Sequence, residues 1–278
     1  MAASPPPAQI RMEAILARLN DGGSITVSEI ARSFGISDMT VRRDLAELER
    51  NGLLERVHGG AVAPLRGPLA VIDDAEPAFE QRLRHNAPAK RAIAMAAAGL
   101  LTGRMTLAMD VGTTVLELAR RVVSDKPPKG LRLFTNSLRV AQLSARAGVT
   151  TYLPGGLVRG EEMSLTGQAV IAEYSNLYFD AVLLGASGLT EEGIFDYAPE
   201  EAEIKRVFIK RAAQRILLID ASKFRRLSTV CFASLSDIDL VVTDAPPPDD
   251  LVEALKQAGT GLVVADPVAE PVRVQDLV

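Results

Sequence analysis

The chain has 278 residues, nearly twice the roughly 150 of a typical domain, so two domains are expected. Hydrophobic residues at 47% and charged residues at 24% exclude a disordered or low-complexity chain. A net charge of -4 excludes a generally basic nucleic-acid coat, a single cysteine excludes an internal disulfide, and two histidines exclude a histidine-rich metal site.

The first residues, MAASPPPAQIR, lack the basic start and apolar run of a secretory signal, and residues 1–8 are expected to be a disordered lead-in. The longest run without a charge, 92–103, falls short of the ~20 apolar residues of a membrane helix, so a cytoplasmic protein without membrane association is expected. Within 9–19, Ile10, Ala14, Ile15, Leu16 and Leu19 share one face of an amphipathic helix. Ser28 is a suitable N-cap for a second helix, EIARSF, which Gly35 ends with a tight turn. Ser37 caps a third, DMTVRRDLAELERN, stopped by Gly52. Two short helices joined through a glycine turn form a helix-turn-helix.

In the third helix Val41, Leu45 and Leu48 must face the core, which leaves Met39, Thr40, Arg42, Arg43 and Glu47 outward or flanking. A recognition helix needs donors in its first turns, where it meets base edges and phosphates in the major groove. The following LLERVHGGA reads as a strand and a glycine turn, a wing that sets Arg56 and His58 beside the DNA backbone. The expected DNA contacts are therefore Ser37, Met39, Thr40, Arg42, Arg43, Arg56 and His58. The competing reading makes Arg42 and Arg43 a solvated face beside Asp44, Glu47 and Glu49. Residues 1–66 carry 8 Arg against 8 Asp plus Glu, so DNA binding must come from local geometry and not from a basic field. This DNA-binding domain is placed at 9–63.

Segment 64–77, PLRGPLAVIDDAEP, holds three prolines and a glycine and is the expected linker. Beyond it, strand-like and helix-like runs alternate: a helix near 79–101, TLAMD, a helix near 113–124, LRLFT, a helix near 137–147 and TTYLP. The alternation continues with a helix near 169–177, AVLLGAS, a helix near 200–213, RILLID, TVCFA, DLVVT, a helix near 249–258 and GLVVA. This pattern predicts an α/β domain with a mainly parallel sheet over 78–266, followed by a tail at 267–278. Cys231, in TVCFA, is expected to be a buried small side chain.

Four strand ends in this domain are rich in Gly, Ser, Thr and Asn. TLAMD ends in Asp110 and runs through Gly112 into Thr113 and Thr114, which open a helix, and a helix N-terminus with a flanking glycine can hold a phosphate without lysine. LFTNS repeats the device with Asn136, LPGG ends a third strand at Gly155, and ASGL ends a fourth. Open α/β sheets bind ligands at such strand ends. Glu201 and Lys205 lie one helical turn apart, and DASKF puts Lys223 just after a strand.

Two resemblances are carried by these residues. DVGTT is similar to the phosphate loop of actin-like sugar kinases, but there the loop is a hairpin followed by another strand, whereas VLELARRVVSD is helical and no second phosphate loop follows. The stretch TVSEIARSFGISDMTVRRDLAELERNGLLERVHGGA resembles the winged helix-turn-helix of DeoR-type bacterial regulators, and FEQR, Lys90, DVGTT, TNS, PGG, SLTGQ, FDAVLLGASGL, EAEIK, DASKF and DIDLVVTD resemble that family's effector domain, similar to the ribose-5-phosphate isomerase and CoA transferase folds. The resemblance covers about residues 9–266. It implies a transcriptional regulator, usually a repressor, acting as a homodimer or homotetramer on a double-stranded operator and responding to a phosphorylated sugar, with no cofactor. The family's ligand positions fall on Asp110, Gly112, Thr113, Thr114, Asn136, Gly155, Glu201, Lys205 and Lys223. The alternative is a sugar-phosphate isomerase-like enzyme with an appended DNA-binding domain. Those isomerases place acidic residues where this chain has LLGASGL, which leaves Asp196 and Glu201 as the available bases.

Overall fold

A computed structural model describes residues 7–22, 24–50, 53–57, 59–62, 76–124 and 127–265. The chain divides into two compact units, Met1–Ala70 and Val71–Val278. The expected linker at 64–77 lies almost wholly outside the described residues, as do His58, Gly52, the lead-in to residue 6 and the tail.

In the N-terminal unit, α1 (Ala8–Gly22), β1 (Ser24–Thr26), α2 (Val27–Phe34), α3 (Asp38–Arg50), β2 (Glu55–Val57) and β3 (Gly60–Val62) surround a core that includes Ile15, Leu19, Ile30, Val41, Leu45, Leu48 and Leu54. Gly35 ends α2 at φ +62°, and Ser37 Oγ accepts the Thr40 amide at 3.3 Å at the start of α3. The N-cap of α2 is Thr26 and not Ser28. Thr26 Oγ1 accepts from the Glu29 amide while Glu29 Oε2 accepts from the Thr26 amide at 2.8 Å, a reciprocal box that satisfies two otherwise orphaned donors. Thr26 also closes β1, a strand absent from the sequence reading, which pairs antiparallel with β3 and makes the wing three-stranded in the order β1-β3-β2. Gly60 is required in this sheet because a Cβ there would lie 2.2 Å from the Ile25 carbonyl oxygen.

Helix α3 buries Val41, Leu45 and Leu48 and exposes Met39, Arg42 and Arg43. Asp44 departs from the solvated-face picture: it is buried and bound bidentately by Arg11 of α1, Nε to Oδ2 at 2.8 Å and Nη2 to Oδ1 at 3.0 Å. The fork geometry locks α1 against α3.

The C-terminal unit opens with two helices, α4 (Phe79–Arg84) and α5 (Ala87–Ala98), where one was expected. Pro88 cannot continue a helix from the preceding turn, and Asn86 takes the left-handed conformation at φ +51° that breaks it. The chain continues through β4 (Thr106–Met109), α6 (Thr113–Ser124), β5 (Arg132–Thr135), α7 (Leu138–Arg146), β6 (Thr150–Tyr152), β7 (Leu157–Arg159), β8 (Ser164–Thr166), α8 (Gln168–Tyr174) and β9 (Phe179–Leu184). It ends with β10 (Gly188–Thr190), β11 (Gly193–Asp196), α9 (Pro199–Arg211), β12 (Ala212–Leu218), β13 (Val230–Ala233), β14 (Leu240–Thr243), α10 (Asp249–Gln257) and β15 (Gly261–Val264).

Seven of these strands form a parallel sheet in the order β15-β14-β12-β9-β4-β5-β6. Its faces are buried in two separate cores, one containing Leu107, Met109, Leu183 and Ile216, the other Ala108, Val182, Leu184 and Leu217, so alternate residues of each strand pack on opposite sides. The β13 run was expected among the parallel strands, yet it pairs antiparallel with β11 in a separate three-stranded sheet, β10-β11-β13, and Cys231 on it is exposed and not buried. The antiparallel pair β7-β8 is a further addition. From β4 the order runs outward through β5 and β6, and β9 then returns to the other side of β4. The reversal leaves a crevice beyond the carboxyl ends of β4 and β9, the switch point of the sheet.

The Arg11–Asp44 pair generates a prediction. Asp44→Ala removes the buried carboxylate that Arg11 grips and should destabilise the N-terminal unit by about 2 kcal/mol, less than for a sealed pair because the guanidinium keeps some access to water. Chemical denaturation of the full chain should show this loss, and the apolar pair Arg11→Met/Asp44→Leu should regain most of it. An unshifted transition in Asp44→Ala would mean that the two helices are held by the apolar core alone.

Candidate functional site

The switch point is built by two strand ends. Chain leaving β4 passes Asp110 and Val111 to Gly112, whose φ of +125° few other residues adopt, and enters α6 with Thr113 and Thr114 buried in its first turn. The first-turn amides of a helix lack partners within it and carry its positive pole. Chain leaving β9 passes Gly185 and Ala186 to Ser187, whose hydroxyl donates to the Phe195 carbonyl at 2.9 Å and shares a second hydrogen bond with Ser228 Oγ at 2.7 Å.

Lys205, from α9, ties these ends together. Its ammonium group contacts Asp110, donates to the Gly185 carbonyl at 3.0 Å, lies 3.1 Å from Asp196 Oδ2 and sits 5.5 Å above the Phe232 ring. Asp110 also accepts from the Gly185 amide at 3.3 Å. Burial works against the charge of Lys205, but Asp110 and Asp196 prevail and hold it above the ordinary lysine range. One turn earlier on α9, Glu201 accepts from Ser164 Oγ at 2.7 Å and lies 3.1 Å from Arg159 Nη1. Burial, aided by the negative charge of Asp196, pushes Glu201 up to about 7 against the pull of Ser164, Lys205 and Arg159.

The opposite wall is cationic. The break between α4 and α5 is held by Lys90, whose ammonium donates to the carbonyls of Arg82 and His85, and by Asn86 Nδ2, which donates to Asp220 Oδ1 at 2.9 Å. Asp220 ends β12 and caps a short 3₁₀ turn, Ala221–Lys223, by accepting the Ser222 amide at 3.2 Å. The ammonium group of Lys223 makes no hydrogen bond or ion pair among the described residues. Burial, together with the positive charges of Arg226, Arg82 and Lys90, lowers it to about 8 although Asp220 acts the other way.

Of the residues expected to hold an effector, Gly112, Thr113, Thr114, Glu201, Lys205 and Lys223 line one cavity at this switch point, and Asp110 lies behind Lys205. Asn136 and Gly155 do not line it. Asn136 is buried and pins the end of β5 to β8, its carbonyl accepting the Leu165 amide at 2.7 Å, while Gly155 is exposed. Arg82, His85, Lys90, Glu162 and Glu76 also line the cavity and were not among the expected ligand positions, and Asp196, expected only as a base in the isomerase alternative, lines it too. Arg82 and Lys90 stand inside the family-like run, the only signal that could have singled them out. Glu162 and Asp196 lie on the unanticipated antiparallel segments, where neither helical nor strand periodicity marks a polar residue.

In the N-terminal unit, Arg42 and Arg43 are exposed and have no hydrogen-bond or ion-pair partner among the described residues. Met39 stands beside them with 78% of its surface exposed, and Ser37 and Thr40 form the cap of the same helix. Arg56, on β2, lies 3.4 Å from Glu49 in an exposed pair.

No helix among the described residues is long and apolar enough to cross a membrane, and none of their His, Cys, Asp and Glu side chains form a group able to hold a metal ion. The DeoR-like helix-turn-helix domain matches residues 11–66, and the DeoR C terminal sensor domain matches residues 85–245. The chain is 35% identical over 254 residues to the HTH-type transcriptional regulator GlpR of Haloferax volcanii, covering 91% of this chain and 96% of that protein. It is 31% identical over 249 residues to the glycerol-3-phosphate regulon repressor of Escherichia coli, covering 88% of this chain and 94% of that protein. Among solved structures, ribose 5 phosphate isomerase A from Neisseria gonorrhoeae is similar over 49% of this chain and 53% of that chain, at 14% identity and a TM-score of 0.37.

The position of Glu201 has a measurable consequence. Its folded value, near 7, stands above the unfolded value of 4.5, so its contribution to stability is complete below about pH 4.5 and is lost as pH rises through 7. Glu201→Gln keeps an acceptor for Ser164 and abolishes the titration. The wild type should therefore lose up to about 3 kcal/mol relative to Glu201→Gln between pH 5 and pH 8. Parallel stability curves for the two proteins across that range would place the Glu201 pKa in the ordinary carboxylate range.

Proposed function

The chain belongs to the DeoR family of transcriptional regulators, and we propose that it is a homo-oligomeric repressor released from its operator by a phosphorylated sugar or related polyol phosphate. The observation that carries this reading is the polarity of the switch-point cavity. The positive end of α6 at Gly112–Thr114 and the unpaired Lys223 supply an anion site, and Glu201 and Asp196 supply acceptors for hydroxyl groups. A phosphate ester of a polyol matches both halves. The relative named as the glycerol-3-phosphate regulon repressor is consistent with a ligand of this class.

On the DNA side, the side chains of Arg42 and Arg43 are exposed on α3 without a partner among the described residues, while Asp44 is engaged by Arg11 in the interior and Glu49 by Arg56. A pseudo-palindromic operator needs a two-fold protein, hence an oligomer. Release follows from linkage, in which ligand and operator each weaken the other by the same factor. It needs no catalytic step, cofactor or membrane, and a cytoplasmic location suits it.

Both halves of the proposal are testable by substitution. Arg43→Ala should weaken operator binding by roughly 1–3 kcal/mol, read by gel-shift titration at fixed salt on DNA selected with the wild-type protein. Unaltered affinity in both Arg42→Ala and Arg43→Ala would restore the solvated-face reading. In the cavity, Thr113→Val removes a hydroxyl and keeps the shape, so the fold and operator binding should persist while release by ligand fails. Thermal-shift assays with inorganic phosphate and the monophosphate esters of glycerol, ribose, fructose and glucose should stabilise the wild type and not the variant. A normal ligand response in Thr113→Val, or stabilisation only by a nucleotide or a CoA ester, would mean that the pocket chemistry is assigned wrongly.

A further inference from the structure

A cluster of charged side chains in the C-terminal unit joins the cavity floor to the segment that enters α4. Glu76 lies three positions before α4. The two oxygens of its carboxylate are held by different arginines: Oε2 accepts from Arg159 Nη2 at 2.8 Å, and Oε1 lies 3.1 Å from Arg82 Nη2. Arg82 in turn contacts the buried Glu162 and donates through Nε to the Pro77 carbonyl at 2.9 Å, so it grips the backbone that leads into α4.

Arg159, on β7, has its other nitrogen, Nη1, 3.1 Å from Glu201 Oε1. The two contacts of Arg159 are unequal. Nη2 makes a hydrogen bond to Glu76, whereas Nη1 approaches Glu201 without the alignment of one. One guanidinium group thus spans two carboxylates of the cavity lining, Glu201 on α9 and Glu76 just before α4, and the contact with Glu201 is the more easily surrendered.

We propose that Arg159 is a positioning residue that couples occupancy of the cavity to the segment that enters α4 by redistributing between Glu201 and Glu76. This rests on the reading of the cavity as the effector site. A hydroxyl group that engages Glu201 competes with Arg159 for the same carboxylate. Arg159 then belongs to Glu76 alone, and the tighter grip on Glu76 changes how that carboxylate is shared with Arg82. Because Arg82 also holds the Pro77 carbonyl, the effect arrives at the backbone of the segment that enters α4. Neither Arg159 nor Glu76 has to touch the phosphate or DNA.

The test separates binding from release. The full-length protein and the variants Arg159→Ala, Glu76→Gln and their combination are titrated with inorganic phosphate and the glycerol, ribose, fructose and glucose monophosphates. Thermal shift reads ligand affinity, and operator binding is read in parallel. With the ester that stabilises the wild type, Arg159→Ala should keep ligand affinity within about threefold and operator affinity within about twofold, yet need at least about tenfold more ester for release. Glu76→Gln should shift release in the same direction, and the combined variant should be no more impaired than Arg159→Ala, as expected for residues on one route. Release at the wild-type concentration in Arg159→Ala overturns the proposal. Ligand affinity that falls as far as release does also overturns it, because Arg159 would then be part of the binding site only. If no member of the series stabilises the wild type, the effector reading itself is overturned and the coupling with it.

Discussion

Lys205 is an ammonium group with 1% of its surface exposed, placed where the carboxyl ends of β4 and β9 separate. A charge removed from water persists only where opposite charges and dipoles replace the lost hydration, and here Asp110, Asp196, the Gly185 carbonyl and the Phe232 ring do so. The arrangement joins α9 to two parallel strand ends and to β11, so the antiparallel sheet and the main sheet share one electrostatic centre. The floor of the cavity follows from it. Glu201 reaches the cavity because it precedes Lys205 by one turn of α9, and its raised pKa comes from the same burial.

That commitment determines what the cavity has left to offer. Lys205 is occupied by two carboxylates and Arg82 by two more, so neither is the free cation that an anion needs. Lys223 and the first turn of α6 remain. The same principle operates in the N-terminal unit, where equal numbers of arginines and acids would seem to leave little for DNA. Asp44 is withdrawn into a buried pair with Arg11, and Arg42 and Arg43 are left exposed. Which charges are internally neutralised matters more than their sum.

Patterns that repeat within a few residues were legible in the sequence. Val41, Leu45 and Leu48 announced the buried face of α3, Gly35 the end of α2, and alternating apolar runs the parallel sheet. What escaped depends on partners distant in the chain. The exception is local: Glu29, three residues after Thr26, completes the box that makes Thr26 and not Ser28 the cap. The run Val230–Ala233 looks like any parallel strand, and its register with β11 places it elsewhere and leaves Cys231 on an open face. In the cavity, the strand-end residues Gly112, Thr113 and Thr114 carried a local signature, whereas the Lys205–Asp110 contact spans 95 positions and has none. Asn136 and Gly155 had the same local signature as Thr113 but end strands farther along the sheet from the switch point, so composition at a strand end is necessary for this site and does not suffice.

A regulator of this kind must respond to a small ligand without dissolving its own core, and the distribution of tight and loose contacts bears on how. The floor, with Lys205 held by several groups at once, is over-determined and resists displacement. The rim is not. Lys223 makes no ion pair among the described residues, Glu201 titrates near neutrality, and Arg159 is divided between two acids. An anion entering beside Lys223 favours its charged form, and a hydroxyl group beside Glu201 alters which acid Arg159 serves. A ligand shifts an equilibrium only by the difference in its affinity for two arrangements, and that difference can arise only where the protein has two arrangements of similar energy. In this unit those are the rim contacts that run toward Glu76 and α4, while the sheet and its buried ammonium serve as the fixed frame against which they move.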